Sequence, residues 1–429
     1  MGPTRRLTAA GLAVALATSG CGFTGDTSTD TSTDGAVRQR PAAPAPATPG
    51  LASGSSSWSA ASSRESLAAA VVQRQVRALR ERDRQGFLAD WLDAPVTQRA
   101  ASDAYANLVA LGVVIAGSRL TSNATSRHAD TWSIGIDVSW RAAGFDASPS
   151  SSVLVYRFAD SGGRALLTGI ETADHARLPI WLLPALEVRR SPRTLVATAD
   201  ETTATRLSRL LRSAVAAVGD VLPGWHGRLV GYEPSTPRQF AALVGATVYD
   251  DAGIAAVTTT VDGSHAASAP VAIVVNPAVF DTLGPVGAHV VVAHEATHAA
   301  TGAATVDMPL WVAEGFADYV GIGAVAVPTP VAASAALRLV RRQDAPARLP
   351  DDASFAIRGA SLEATYEQAW LAATLIARRH GRSALVAFYR EVQAHPDGID
   401  AAFSSVLHTS RAAFTQSWRR NLERLARDG

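Results

Sequence analysis

Two histidines and a glutamate are the residues best able to do chemistry, and they lie in the run Val290-Val-Val-Ala-His-Glu-Ala-Thr-His298. The apolar run predicts a helix, and at 3.6 residues per turn His294 and His298 then stand one turn apart on the same face. Two imidazoles so placed can bind one metal ion from a single rigid element. Glu295 is offset by about 100° around the helix axis, close enough to polarise a water molecule beside that metal.

A second pair of acidic residues follows in the segment Pro309-Leu-Trp-Val-Ala-Glu-Gly-Phe-Ala-Asp-Tyr319. Glu314 lies 16 positions after His298, and Asp318 is one helical turn beyond Glu314. A catalytic zinc ion takes three protein ligands and keeps one open position, and two histidines with one glutamate form a standard set. Glu314 is therefore the candidate third ligand. Asp318 is a candidate acceptor for the outer N–H of a ligating histidine.

Together the two segments resemble the gluzincin branch of the zincin metallopeptidases. The signature of that branch is H-E-x-x-H, followed on the next helix by E-G-x-A-x-[YF] or E-x-x-x-D. The resemblance implies a Zn²⁺-dependent peptidase acting on a peptide or protein substrate. His294, His298 and Glu314 would bind the metal, and Glu295 would be the general base.

The resemblance also implies where substrate and oxyanion contacts lie. In gluzincins the last strand before the zinc helix borders the cleft and pairs with extended substrate, as an edge strand with unpaired backbone groups can. The matching positions here are Val271, Ile273, Val275 and Asn276. Gluzincins also commonly add a Tyr or His donor from the helical lobe behind the zinc. Tyr366 matches that donor by position, with Tyr319 and Tyr389 as alternatives.

Other interpretations stay open at this point. Each residue alone would be an ordinary helix residue or a solvated charge, and only their combination in the right order favours a metal site. A zinc-bearing protein could also bind a peptide or an envelope partner without cleaving it. A third possibility is a lipoprotein whose main role is to bind a ligand in its N-terminal domain.

Composition limits the class of protein. The 429 residues leave room for two domains, and the formal net charge of +1 gives no electrostatic reason to expect nucleic acid as a partner. The apolar fraction is high because alanine is abundant.

The N-terminus has the layout of a secretory signal over residues 1–21. Arg5-Arg6 precedes an apolar run that ends in a small-residue site before Cys21, the only cysteine of the chain. This layout resembles a bacterial lipobox, although Thr18 stands where that motif usually has Leu. It implies a lipid-anchored protein on the extracytoplasmic face of the membrane, with an ordinary cleaved signal, and hence secretion, or a transmembrane anchor as alternatives. Residues 22–63, rich in Ser, Thr, Pro, Gly and Ala, predict a flexible tether.

Residues 64–190 predict an α+β domain, with helices first and a sheet after them. A helix is expected from Arg64 to about Trp91 and a second from Thr97 to Leu111. Large apolar residues then alternate with smaller or polar ones along a half-buried strand, namely Trp132, Ile134, Ile136, Val138 and Trp140, and a hairpin follows over residues 153–170. This order resembles the NTF2-like and cystatin-like folds with a curved antiparallel sheet.

Residues 194–429 predict the metal-binding domain. Short strands at 194–198, 227–232, 256–261 and 271–276 form a small sheet, with helices at 202–218 and 236–244 between them. Beyond the two metal-binding helices, the pattern is helical at 332–343, 362–380, 383–392 and 411–426. This lead-in sheet and helical C-terminal lobe also resemble gluzincins.

Overall fold

The computed structural model describes residues 55–128, 130–174, 176–245, 254–356 and 360–428. The predicted signal, Cys21 and most of the predicted tether lie outside these residues. Within them the chain is α+β, as predicted. It has an antiparallel first sheet, a mixed second sheet and a helical C-terminal region.

The N-terminal elements are three helices followed by five strands. The helices are α1 (Ser55–Glu81), α2 (Arg84–Leu88) and α3 (Pro95–Ala110), and the strands are β1 (Val113–Leu120), β2 (Thr125–His128), β3 (Thr131–Ala142), β4 (Ser150–Ser161) and β5 (Arg164–Thr172). The first sheet has the order β1-β3-β4-β5, and β2 also pairs with β3. All these pairings are antiparallel. The predicted alternation along β3 is confirmed, because its five large apolar side chains are all buried.

The first predicted helix differs from the structure at both ends. It begins at Ser55, inside the segment predicted to be a tether. It also does not continue to Trp91: Arg82 has a left-handed φ of 56°, and the chain turns there. Asp83 then starts a new short helix, because its side chain accepts a hydrogen bond from Gly86 N at 2.8 Å.

The second sheet contains strands β6 (Glu187–Arg190), β7 (Thr194–Thr198), β8 (Leu229–Glu233), β9 (Ala256–Thr260) and β10 (Val271–Val275), with helices α4 (Glu201–Val221) and α5 (Pro237–Val244) between them. Its order is β6-β7-β8-β10-β9, so the pairs β7/β8 and β8/β10 are parallel and the two outer pairs are antiparallel. Strand β6 falls within the range predicted for the N-terminal domain, yet it pairs with β7.

The predicted edge strand is wrong. Strand β10, which contains Val271, Ile273 and Val275, pairs with β8 on one side and β9 on the other. Its backbone groups are therefore used within the sheet. Among the described strands, β9 is the outermost one on that side. Sequence order placed the last strand at the border, whereas the chain returns from β9 and inserts β10 between β9 and β8.

The rest of the chain is helical. It contains α6 (Pro277–Phe280), α7 (Pro285–Thr301), α8 (Leu310–Gly323), α9 (Thr329–Ala332), α10 (Ser334–Gln343), α11 (Asp352–Phe355), α12 (Ala360–His380), α13 (Arg382–Ala394), α14 (Ile399–Leu407) and α15 (Arg411–Asp428). The four predicted C-terminal helices are confirmed as α10, α12, α13 and α15, and α14 is an addition that the sequence analysis does not predict.

The two hydrophobic cores meet at the second sheet. One face of this sheet belongs to the core of the N-terminal elements and contributes Leu195, Ala197, Val230, Tyr232, Ala272 and Val274. The opposite face packs against α4, α7 and the C-terminal helices and contributes Val196, Leu229, Ile273 and Val275. The second sheet is thus covered on both faces, and the N-terminal elements form one of its two covers.

Candidate metal centre and active site

Helix α7 carries the H-E-x-x-H run in a buried position. Pro285 occupies its first turn, where a missing N–H costs nothing, and the helix ends at Gly302 with a left-handed φ of 72°. Residues 290–298 are all buried, because the second sheet and α4 lie on one side of α7 and α8 on the other. The two histidines are therefore held by a helix that is packed nearly all around.

Three side-chain atoms from α7 and α8 converge on one point. His294 Nε2 lies 3.0 Å from His298 Nε2. Glu314 Oε2 lies 3.1 Å from His294 Nε2 and 3.5 Å from His298 Nε2. One ligand atom from each of the three residues fits within a 4.8 Å span. The structure thus brings together the three predicted ligands.

The distances among the three candidate ligand atoms fit a tetrahedral metal ion. Ligand atoms about 2.0–2.1 Å from a tetrahedral ion lie about 3.4 Å from one another. The three observed separations lie on either side of that value. Glu314 Oε2 is also buried without a hydrogen bond to any described residue. A buried carboxylate oxygen in that situation is costly unless a cation is present.

Asp318 holds one of the ligating histidines in place. His294 Nδ1 donates to Asp318 Oδ1 at 2.8 Å, and Nε2 faces Glu314. The outer hydrogen bond predicted for Asp318 is therefore present. Asp318 lies one helical turn beyond Glu314, the candidate third ligand.

The electrostatics of the cluster favour a positive charge at its centre. Three carboxylates and two imidazoles, those of residues 294, 295, 298, 314 and 318, are between 0% and 2% exposed. Burial opposes a charge on His294, but Asp318 and Glu314 raise its pKa well above the usual value. Burial would raise the pKa of Glu314, but His298 and His294 lower it to about 2. Either protons or a cation must therefore balance the carboxylates, and a divalent ion between the three ligand atoms does so directly.

Glu295 lies beside the ligands and is held from the second sheet. Thr258 on β9 places its Oγ1 2.8 Å from Glu295 Oε2 and 2.7 Å from the backbone oxygen of Glu295. Burial raises the pKa of the Glu295 carboxyl, while the neighbouring histidines and Thr258 oppose this shift. The sequence analysis did not identify Thr258. The only feature of the sequence that could have pointed to Thr258 is that Thr258 and Thr260 are polar residues at the inward positions of a short strand.

Tyr366 on α12 is a buried residue whose hydroxyl makes no hydrogen bond to the described residues. Burial raises its pKa well above 10, and the charges of Glu314, Asp318 and Glu295 raise it further, so the hydroxyl stays protonated. Tyr389, by contrast, donates to Thr301 Oγ1 at 3.0 Å. Tyr319 is partly buried and packs against the C-terminal core. Tyr366 therefore has a donor that Tyr389 lacks, and its pKa responds to the site carboxylates.

Two glycines allow α8 to lie between α7 and α12. A Cβ at Gly315 would lie 2.5 Å from the backbone oxygen of Ala369 on α12. A Cβ at Gly321 would lie 2.8 Å from the backbone oxygen of Val290 on α7. These close approaches bring Glu314 and Asp318 to the histidines. Gly315 belongs to the E-G-x-A motif, but its role in helix packing is not predicted by that motif.

The remaining predicted site residues are not at the metal centre. Ile273 and Val275 are fully buried in the core between the second sheet and the helices, and Val271 is partly buried on the same interior strand. Asn276 caps α6: its Oδ1 accepts from Ala278 N at 3.2 Å, and its Nδ2 donates to the backbone oxygen of Ile254 at 3.0 Å. Their side chains thus serve packing and capping.

The N-terminal elements enclose an apolar cavity of about 40 Å³ that is lined in part by Val72, Leu108 and Trp181. A water molecule needs at least ~10–15 Å³ of such volume, so the cavity has room for about three waters.

Within the described residues, no helix is both long enough and apolar enough to cross a membrane.

A comparison with models of known protein families gave no match, and neither did a comparison with curated protein sequences. The resemblance to gluzincins therefore rests on the motif residues alone.

Proposed function

We propose that this chain is a zinc-dependent peptidase that hydrolyses peptide bonds, and that Cys21 anchors it by lipid to the extracytoplasmic face of a bacterial membrane. One observation carries the catalytic part of the proposal. Three ligand atoms from His294, His298 and Glu314 meet at the spacing of a tetrahedral ion, directly beside the buried carboxylate of Glu295. The anchoring part rests on the sequence around Cys21 alone.

A bound Zn²⁺ would supply Lewis acidity at this point, polarising a carbonyl group and acidifying a water molecule. Glu295 takes the proton of that water as it attacks the peptide carbonyl and passes the proton to the leaving amine. Thr258 keeps the Glu295 carboxylate in position through its hydroxyl. The protonated hydroxyl of Tyr366 is the donor available to the oxygen that gains negative charge.

Strand β9 is the element that fits an extended peptide. It is the outermost described strand on its side of the second sheet, and it contacts α7 through Thr258. A peptide that pairs with this edge would have its backbone fixed beside Glu295, as strand addition to a sheet edge does generally. This assignment replaces the interior strand β10.

Metal analysis of the purified protein tests the ligands. We expect about one zinc per chain, lost in Glu314→Ala because two histidines alone leave the site incomplete. His289→Ala is the matched control: His289 lies on the same helix, and its Nδ1 is 2.8 Å from the Pro285 backbone oxygen, outside the cluster. Full zinc occupancy in Glu314→Ala would reject the ligand set.

Hydrolysis separates the peptidase from a zinc protein that binds without cleaving. Fluorescein-labelled casein is an unfolded probe that presents many sequences. We expect release of labelled peptides that stops with a chelator and returns with zinc. A zinc-loaded protein that releases none of them, and cleaves nothing in a broad peptide library, would favour the binding alternative.

A further inference from the structure

Strand β9 has one set of backbone groups that faces away from β10. The hydrogen bonds at the two ends of the strand show which of its residues bond to β10. Asn276 N donates to Ala255 O at 2.9 Å, and Val261 N donates to Pro270 O at 2.8 Å. Antiparallel strands alternate between paired and outward-facing residues. The odd positions from 255 to 261 therefore pair with β10. Ala256, Thr258 and Thr260 direct their N–H and C=O groups to the side on which no described strand pairs with β9, which we call the open edge.

Arg177 occupies one end of this open edge. It lies in the segment between β5 and the second sheet, and its Nη1 donates to the backbone oxygen of Thr260. The same nitrogen donates to Thr259 Oγ1 at 2.7 Å. Gly245 and Gly263 pack against the side chain, since a Cβ on either would lie 3.1 or 3.0 Å from it. Arg177 thus bonds to the end of β9 at its last outward carbonyl, which also accepts from Gly263 N at 3.4 Å.

Consecutive side chains of β9 are held from opposite faces of the sheet. Thr258 points to α7 and contacts Glu295, whereas Thr259 points to the N-terminal elements and accepts from Arg177. A second bond from the N-terminal elements reaches the turn after β9, where Ser151 N donates to Asp262 Oδ2 at 3.1 Å. The position of Thr258, and with it the contact to Glu295, depends on a strand that the N-terminal elements hold.

We propose that Arg177 is a positioning residue of the active site: it fixes β9, so that Thr258 holds Glu295 and the open edge available to a peptide is confined to Ala256 and Thr258. The segment that connects the two sheets is then part of the catalytic unit. The catalytic half of this inference rests on the proposed peptidase function, whereas the fixing of β9 does not.

Arg190 provides a matched control. It also links the second sheet to the N-terminal elements, donating to the backbone oxygens of Leu111 and Ala143. It lies on β6, at the opposite edge of the sheet from β9. Replacing either arginine by Met removes a guanidinium that bonds to backbone oxygen and keeps a long side chain.

Hydrogen–deuterium exchange of the full chain tests the fixing of β9 without any substrate. In Arg177→Met we expect the amides of Val257, Thr259 and Val261 to exchange about tenfold faster or more, the scale of one lost charge-assisted hydrogen bond. Arg190→Met should leave these amides unchanged. Equal exchange in β9 for the two variants would overturn the proposal.

Kinetics on an internally quenched peptide, chosen from a library digest by the unaltered protein, test the catalytic consequence. In Arg177→Met we expect kcat to fall about 10–100-fold, the scale for a displaced catalytic geometry, while zinc content holds and KM changes by less than about threefold. Arg190→Met should retain kcat. An unchanged kcat in Arg177→Met would overturn the positioning role.

A second pair of variants keeps the test decisive should Arg177→Met fold poorly. Thr258→Val removes the hydroxyl at constant shape and should lower kcat at constant zinc content, while Thr258→Ser restores the hydroxyl and the rate. Equal rates in the two variants would overturn the role of β9 in holding Glu295. If the unaltered protein hydrolyses no peptide, the proposed peptidase function is rejected. The exchange measurement needs no hydrolysis, so it tests the fixing of β9 in either case.

Discussion

Gly315→Ala is a test of how the metal centre is assembled. Gly315 follows the ligand Glu314 on α8 and faces α12, where an added Cβ would lie 2.5 Å from the backbone oxygen of Ala369. An ordinary contact begins at 3.4 Å, so the two helices must separate by 0.9 Å (3.4 − 2.5). A helix backbone yields far less readily than the end of a flexible side chain.

Two terms of opposite sign decide the effect on stability. Alanine is favoured over glycine inside a helix by about 1 kcal/mol. Overpacking against a rigid backbone costs about 1–3 kcal/mol, and the size of this overlap puts Gly315 toward the upper end. We therefore expect a net loss of about 1–2 kcal/mol. A shift of 0.9 Å also exceeds the roughly 0.2 Å tolerance of metal–ligand distances, so zinc affinity should fall about 10–100-fold.

Thermal unfolding of the metal-free protein and chelator competition for zinc measure the two effects. Gly323→Ala is the control, because Gly323 lies on the same helix and an added Cβ would have no neighbour within 4 Å. Its Tm should stay the same or rise, with unchanged zinc affinity. Our reasoning is refuted if Gly315→Ala equals Gly323→Ala in both measurements.

Three further predictions concern chemistry and location. Glu295→Gln should keep its zinc and lose about 10²–10⁴-fold in peptide turnover, the usual contribution of a general base; wild-type turnover would mean that another group activates the water. Tyr366→Phe should lower kcat by about 10²-fold or more at constant zinc content, and normal turnover would make Tyr366 a packing residue. Cys21→Ser should release the protein from membranes or leave the signal uncleaved in cell fractionation, and unchanged retention would indicate another anchor.

The meeting of the three candidate ligand residues could be predicted because it depends on local geometry. His294 and His298 are one turn apart on any straight helix, as are Glu314 and Asp318. A helix needs only an apolar sequence and suitable ends, and residues 285–301 supply both. The two motif segments in this order also predicted that their helices lie side by side. The distances among the three candidate ligand atoms could be seen only in the structure.

The border of the site could not be predicted, because it depends on strand order rather than on any local pattern. Strands β9 and β10 are both short and apolar or Thr-rich, and nothing in their residues tells which of them is outermost. The contact between Thr258 and Glu295 joins residues 37 positions apart. The helix break at Arg82 was missed for a related reason, since a non-glycine residue in a left-handed conformation leaves no clear mark in the sequence.

The two-sided second sheet changes how the domains should be understood. The sequence analysis divides the chain into an N-terminal domain over residues 64–190 and a separate metal-binding domain over residues 194–429. In the structure, six side chains of the second sheet, from Leu195 to Val274, are buried in the N-terminal core. Without that cover, one face of the sheet beneath α7 would expose a contiguous apolar surface, which a soluble protein rarely tolerates. Ser151 of the N-terminal elements also bonds to Asp262 in the turn after β9, and Arg177, in the segment that follows β5, holds β9 itself. Support of the sheet and placement of Glu295 are therefore two effects of one packing arrangement.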